Sequence, residues 1–143
     1  MTHISAPCIK IEQSPGKYLY SFVIEGKKLA QFATVSRIKR DEQQQLLGYQ
    51  RMEVSDHVAD IKSYLEREDS ILPNSLVIAF QQQLEFESVQ QLKDGELGII
   101  KIEIGAEEKS GWIVDGQQRA AALRLRKRDN FPVSVIGFHS TGT

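Results

Sequence analysis

The residues whose types and spacing suit chemistry lie in one stretch, Trp112-Ile113-Val114-Asp115-Gly116-Gln117-Gln118-Arg119-Ala120-Ala121-Ala122-Leu123. An apolar strand here feeds a glycine turn that opens an alanine-rich helix. The first turn of such a helix exposes unpaired backbone N–H groups at the positive end of its dipole, and phosphates bind there. Gly116 lets the backbone approach a ligand closely, while Arg119 can grip phosphate bidentately. Asp115 at the mouth of the turn is suited to hold a magnesium ion bridging to phosphate, or to orient a water. A second reading needs no ligand: Asp115 followed three residues later by Gln118 is a capping box, in which both side chains satisfy backbone donors. On spacing alone both stay open. Capping, however, needs neither Gln117 nor Arg119.

Two further basic groups stand beside this turn in the argument. Gly48-Tyr49-Gln50-Arg51 precedes a helical segment; a loop arginine there is ordinarily a solvated surface group. If Arg51 converged with Arg119 on one pocket, an anion would be needed to offset their repulsion. The end of the late helix carries Arg124, Arg126, Lys127 and Arg128 with no acid before Asp129. Cations are favourable at a helix C-terminus; the alternative is a phosphate-backbone footprint for DNA, with strongly salt-dependent binding. No aromatic residues interleave with these cations, so a stacking platform for single strands is not expected. His57 reads as a packed or surface group. Cys8 reads as a buried strand residue, since only Lys10 offers it a nearby positive charge.

The elements that must position these groups form one α+β pattern. Strands are expected around Cys8 to Ile11 and at Tyr18 to Ile24, the latter pairing with Leu29 to Val35 as a hairpin across Glu25 to Lys28. Residues 36–47 read as a loop or short exposed helix. Val58, Ile61 and Leu65 recur at helical spacing and predict an amphipathic helix from Val54 to Arg67. Ser75 to Phe80 is nearly all apolar, a strand buried on both faces. Gln81 to Gly95 is polar. Leu97 to Ile104 alternates, with Ile100, Ile102 and Ile104 on one face, and Trp112 to Val114 is expected to return as its partner. A helix from Gln117 to Arg128 and a strand from Val133 to Phe138 follow.

Composition agrees with one ordinary domain over residues 1–143. The chain is 41% hydrophobic and 26% charged with a formal net charge of -1, enough to bury roughly two-thirds of its unfolded surface. Its one cysteine and three scattered histidines, His3, His57 and His139, give no zinc-ligand spacing. No apolar run approaches the roughly 20 residues of a membrane span, and Met1 to Gln13 lacks the layout of a secretory signal. A cytoplasmic location without membrane association is expected. Near-neutral charge argues against a globally basic nucleic-acid binder but leaves room for a local patch.

The run Ile113-Val114-Asp115-Gly116-Gln117-Gln118-Arg119-Ala120-Ala121-Ala122-Leu123 resembles the signature of the DGQHR/DGQQR-domain family, the DndB-like branch of the ParB/sulfiredoxin-like superfamily. Tyr49-Gln50-Arg51, the helix from His57 to Leu65 and Ile71-Leu72-Pro73-Asn74-Ser75-Leu76-Val77 match it in order, so the likeness covers about Gly48 to Phe138. The resemblance implies a ParB-like mixed sheet with flanking helices and a role in DNA phosphorothioation, restriction or phage defence. It implies a nucleotide or phosphate pocket at the aspartate-glycine turn, with NTP hydrolysis as seen in related defence proteins. Asp115 and Gln118 would then be catalytic, with Asp115 on Mg2+. Arg51, Asn74, Gly116, Gln117 and Arg119 would bind a nucleoside triphosphate, ATP first. Expected partners are DNA, the nucleotide, a second copy or other components of a DNA-modification complex. The alternative is a non-enzymatic DNA-binding transcriptional regulator of such a system. Gln117 stands where sulfiredoxin has its reactive cysteine, which excludes sulfinic acid reduction. Gln118 stands where the family often has histidine, and glutamine orients a water without taking its proton. Longer family members make this chain look truncated, or an N-terminal fragment.

Overall fold

In a computed structural model of the chain, residues 2–34, 57–105, 108–127 and 130–140 are described. The strands are β1 (Thr2–Ser14), β2 (Lys17–Glu25), β3 (Ala33–Thr34), β4 (Leu76–Phe80), β5 (Glu85–Gln91), β6 (Glu96–Ile104), β7 (Gly111–Asp115) and β8 (Pro132–His139). A 3-10 turn spans Gly26–Gln31, residues 57–65 are helical (α1), and α2 runs Gln117–Leu125. All eight strands join one mixed sheet in the order β3-β7-β4-β8-β2-β1-β6-β5. This is an α+β fold, as the pattern of elements predicts. Among the described residues, β3 with β7 and β4 with β8 pair in parallel and the other pairs are antiparallel.

Alternation decides which face is covered. Ile4, Ala6 and Cys8 of β1, Tyr20, Phe22 and Ile24 of β2, and Ile100 and Ile102 of β6 are buried together with Val133 and Val135 of β8. Against them lie Val58 and Leu65 of α1 and Ala120, Ala122 and Leu123 of α2, in one core cluster. β4 is buried nearly throughout, as its apolar run predicts, because β8 and β7 flank it on both sides.

Three expectations are corrected. Leu29 to Val35 is not the second strand of a hairpin. The Glu25 carboxylate accepts a hydrogen bond from the Lys27 amide at 2.9 Å and starts a helical turn. Leu29 and Phe32, three residues apart, then both point inward, a helical spacing that reads as β-strand in so short a run. Phe32 stacks on Phe80, with ring centroids 6.0 Å apart, and the strand that follows is two residues long.

Second, Trp112 to Val114 does not pair with Leu97 to Ile104. β6 lies between β1 and β5, while β7 lies between β4 and β3. The long β1 satisfies β6 over nine register pairs, leaving it no need of its neighbour in sequence. Third, the polar stretch from Gln81 to Gly95 contains β5. It is an edge strand with only Phe86 half-buried, where Phe86 meets Tyr20 at 6.0 Å. An edge strand that buries one side chain shows no alternation. Among the described residues no helix is long and apolar enough to cross a membrane.

Cys8 is buried within this sheet, and burial pushes its thiol from 9.0 up to about 12. Only the thiolate reacts. At pH 8 its thiolate population is lower by about a thousandfold than an unburied thiol would show, so alkylation of the native protein should be slowed by about that factor and restored by urea. The folded state keeps its proton between pH 9.0 and about 12 while the unfolded chain loses it. Its contribution to stability is therefore complete below pH 9 and declines as pH rises through that window, which alkaline denaturation measures.

Candidate functional site

The strand-to-helix turn is built from a bulge, a left-handed glycine and an arginine folded back over both. β7 pairs with β4 through Ile113 to Ile78 and Asp115 to Val77, which leaves Val114 as the extra residue of a bulge. Bulges re-aim side chains at the ends of strands. The Gln117 amide closes this one, donating to the carbonyls of Ile113 and Val114, both at 3.2 Å. Gln117 is thus a latch between the strand end and the helix start.

Gly116 follows with φ 93° and ψ 24°, the left-handed region, and occupies the N-cap position of α2. An added Cβ there would stand 2.4 Å from Leu76 Cδ2 and 3.1 Å from Arg119 Nη2. The missing side chain is what lets the sheet residue Leu76 and the guanidinium sit on either side of the turn. The Gly116 carbonyl accepts from the Ala120 amide at 2.9 Å, the first helical bond.

No side chain caps this helix. The capping-box alternative is thereby corrected: Asp115 precedes the N-cap instead of occupying it, because the bulge and the positive φ carry the chain one residue further before helical geometry begins. The amides of Gln117, Gln118 and Arg119 form the open first turn. Gln118 is half-buried there.

Arg119 spans the mouth of the turn. Its Nη1 donates to the backbone carbonyl of Asn74 at 3.0 Å, and its Nη2 lies 3.8 Å from Asp115 Oδ2. The arginine side chain is 19% exposed and the aspartate 71%. A pair this exposed on one side is worth a fraction of a kcal/mol, roughly 0.2–1; its value is geometric. Of the five guanidinium donors, one is used on the Asn74 carbonyl.

The structure thus brings Asp115, Gly116, Gln117, Gln118 and Arg119 together with the main chain of Asn74. Arg51 and Arg128 lie outside the described residues. Arg124, Arg126 and Lys127 lie toward the other end of α2, starting five residues or roughly 8 Å of helical rise beyond Arg119.

Arg126 is corrected as a DNA contact. It is 5% exposed; its Nε donates to the Leu65 carbonyl at 2.8 Å, and its guanidinium lies 4.4 Å over the Phe131 ring. It satisfies the C-terminus of α1, where a cation is favoured, so a helix 61 residues away in sequence withdraws it from solvent. No sequence signal in the basic run separates Arg126 from Arg124. The latch role of Gln117 was equally hidden, since it depends on the bulge.

A family model described as "DndB: DNA-sulfur modification-associated" matches residues 6–143. No curated protein and no solved structure matches the chain.

Gly116→Ala combines left-handed strain of about 1–2 kcal/mol with overpacking against Leu76 of about 1–3 kcal/mol; urea unfolding should show a combined loss of about 2–5 kcal/mol. Arg126→Met removes the shorter of the two hydrogen bonds to the Leu65 carbonyl, leaving the Ser70 hydroxyl at 3.3 Å, and should cost about 1–2 kcal/mol in the same measurement. Arg126→Lys should recover part of that loss, because lysine restores a donor without the planar stacking.

Proposed function

Because the chain belongs to the DndB family of DNA-sulfur modification-associated proteins, we propose that it is a DNA-associated module of a DNA phosphorothioation system that binds phosphate at the β7–α2 turn. The ligand in this reading is a nucleoside triphosphate, ATP first. One observation carries it: α2 opens at a left-handed glycine with no side chain on its first-turn amides, while an arginine is braced alongside. Backbone donors and a guanidinium around one opening suit oxygens that carry negative charge.

The donor set at the turn fits a cation brought by the ligand. Asp115 is the carboxylate at the turn, and among the described residues no group of three histidine, cysteine or acidic side chains could hold a metal. Magnesium uses one or two carboxylates plus phosphate oxygens, so Asp115 would hold it jointly with the nucleotide, where the ion supplies charge neutralisation. Gln118 would orient a water. Binding is better supported than hydrolysis, since glutamine takes no proton and the Asp115 carboxylate lies beside Arg119.

The membership suggests sulfur chemistry, but this chain is poorly made to carry sulfur. A carrier needs an accessible thiolate, and Cys8, its one cysteine, is buried with its thiol pushed up to about 12. A binding or regulatory role beside the sulfur-transferring components fits better, in the cytoplasm, with those components or a second copy as partners. The second reading, a non-enzymatic DNA-binding regulator, is favoured by the exposed Arg124 in the last turn of α2 and Lys127 just past it.

Thermal-shift titration with nucleoside triphosphates, with and without magnesium, tests the phosphate site. A ligand at 100 times its Kd should stabilise the fold by about 2.7 kcal/mol, and Arg119→Ala should abolish that increment. A melting point that no nucleotide moves, or an increment that survives in Arg119→Ala, would overturn the nucleotide reading.

A further inference from the structure

We propose that the surface where α1 and α2 end side by side, carrying Lys28, Arg124 and Lys127, is a docking site for the phosphate backbone of duplex DNA. The proposal rests on the DNA-associated reading above and supplies its contact surface.

Three parts of the chain converge there. Arg126 at the end of α2 reaches the last carbonyl of α1, and the next amide, Lys127 N, donates to the Glu66 carboxylate at 3.2 and 3.3 Å. The 3-10 turn lies against the same helix: a Cβ on Gly26 would stand 2.9 Å from Leu123 Cδ2, so the absence of a side chain permits the approach. Lys27 Nζ then donates to the Lys127 carbonyl at 3.4 Å. Lys28 follows in the turn and Arg124 lies in the last turn of α2, both exposed. The sequence shows only the run after Arg124; the fold adds Lys27 and Lys28, about a hundred residues earlier.

Charge accumulates beyond what the fold requires. Just past the end of α1 Arg67 is held by Asp69, with Glu68 exposed between them in sequence; Lys27, Lys28, Lys62, Arg124, Arg126 and Lys127 are grouped, in a chain whose formal net charge is -1, around Glu25 and Glu66, the two carboxylates that contact the joint itself. Both carboxylates are occupied by backbone amides: Glu25 by those of Lys27 and Phe131, Glu66 by that of Lys127. Two converging helix C-termini call for cations, and Arg126 and Lys27 answer that need on main-chain carbonyls. Lys28, Arg124 and Lys127 are surplus to it. Among the described residues no carboxylate pairs with their side chains. Such exposed, chain-end cations position a protein on phosphates without reading bases.

Arg124 follows Arg119 by five residues, roughly 8 Å of helical rise, and the contacts of Arg119 are made with Asn74 and Asp115, so the two sites can be altered separately. Fluorescence anisotropy with a duplex of arbitrary sequence, titrated across salt concentrations, provides the test. The full chain should bind with a linear log–log salt dependence, and the triple variant Lys28→Gln/Arg124→Gln/Lys127→Gln should lower the slope by about 2–3, close to one per phosphate released. Arg119→Ala should leave the slope unchanged. An unchanged melting temperature of the triple variant confirms that it is folded, as three exposed substitutions should leave it. Undiminished binding by the folded triple variant would overturn this surface and leave the DNA-associated reading standing. Absence of duplex binding by the unaltered chain at low salt would overturn both, while the nucleotide titration would still stand or fall separately. Equal weakening by Arg119→Ala and the triple variant would overturn the separation of the two sites.

Discussion

The arrangement depends on a steric constraint at one residue. Gly116 must turn the chain from β7 into α2 while Leu76 closes on one side and the Arg119 guanidinium on the other. No residue with a Cβ fits both the left-handed backbone and that gap. From this follow the bulge at Val114, the Gln117 latch on the strand-end carbonyls, and the late start of the helix that leaves Asp115 outside it. A side-chain cap would have closed the first turn. Glycine leaves it open, and Arg119, tied to Asn74 across the sheet, stands beside the opening.

The two ends of α2 are consequently put to opposite uses. At its N-terminus the helix presents amides and attracts negative charge; at its C-terminus it presents carbonyls and attracts cations. α1 ends beside the same place, which doubles the demand there. Arg126 meets the demand from inside the core, its charge held by a carbonyl and an aromatic face, an arrangement available to a planar guanidinium and poorly to an ammonium. Once the buried position is filled, the exposed Arg124 and Lys127 have solvent or an anion to face. The sign of charge at each end of one short helix thus follows from its dipole, and the degree of exposure from which residue the core claims.

Much of this was readable from local pattern. The strand–glycine–helix turn, the amphipathic α1 stripe through Val58, Ile61 and Leu65, and the buried β4 all rest on side chains whose spacing repeats within a few residues. What local pattern could not supply was partnership. The pairing of β6 with β1 joins residues nearly a hundred positions apart, as in Ile4 with Ile102, so the expectation that Trp112 would return beside Ile100 failed for want of any long-range signal. Leu29 and Phe32 were misjudged because two inward residues three apart fit a ragged strand as well as a 3-10 turn. Arg126 was grouped with Arg124 because a basic run looks uniform until a second helix ends against one of its members. Tyr49-Gln50-Arg51 falls outside the described residues, so the turn stands on Asp115 to Arg119 and Asn74 alone.

The distribution of reactive groups bears on what a member of a DNA-sulfur modification family contributes through this chain. Its only thiol is spent as a small apolar side chain within β1, held protonated by the sheet around it. At the turn and at the end of α2, by contrast, amides, guanidinium and ammonium groups are on offer beside the Asp115 carboxylate, donors suited to phosphate oxygen. A nucleic acid and a nucleotide share that functional group, and a turn and a helix end that both favour it can hold the two together without making or breaking a bond to sulfur. In the reading proposed above, sulfur is activated elsewhere, and the part left to this chain is a donor-rich turn and helix end suited to phosphate oxygen.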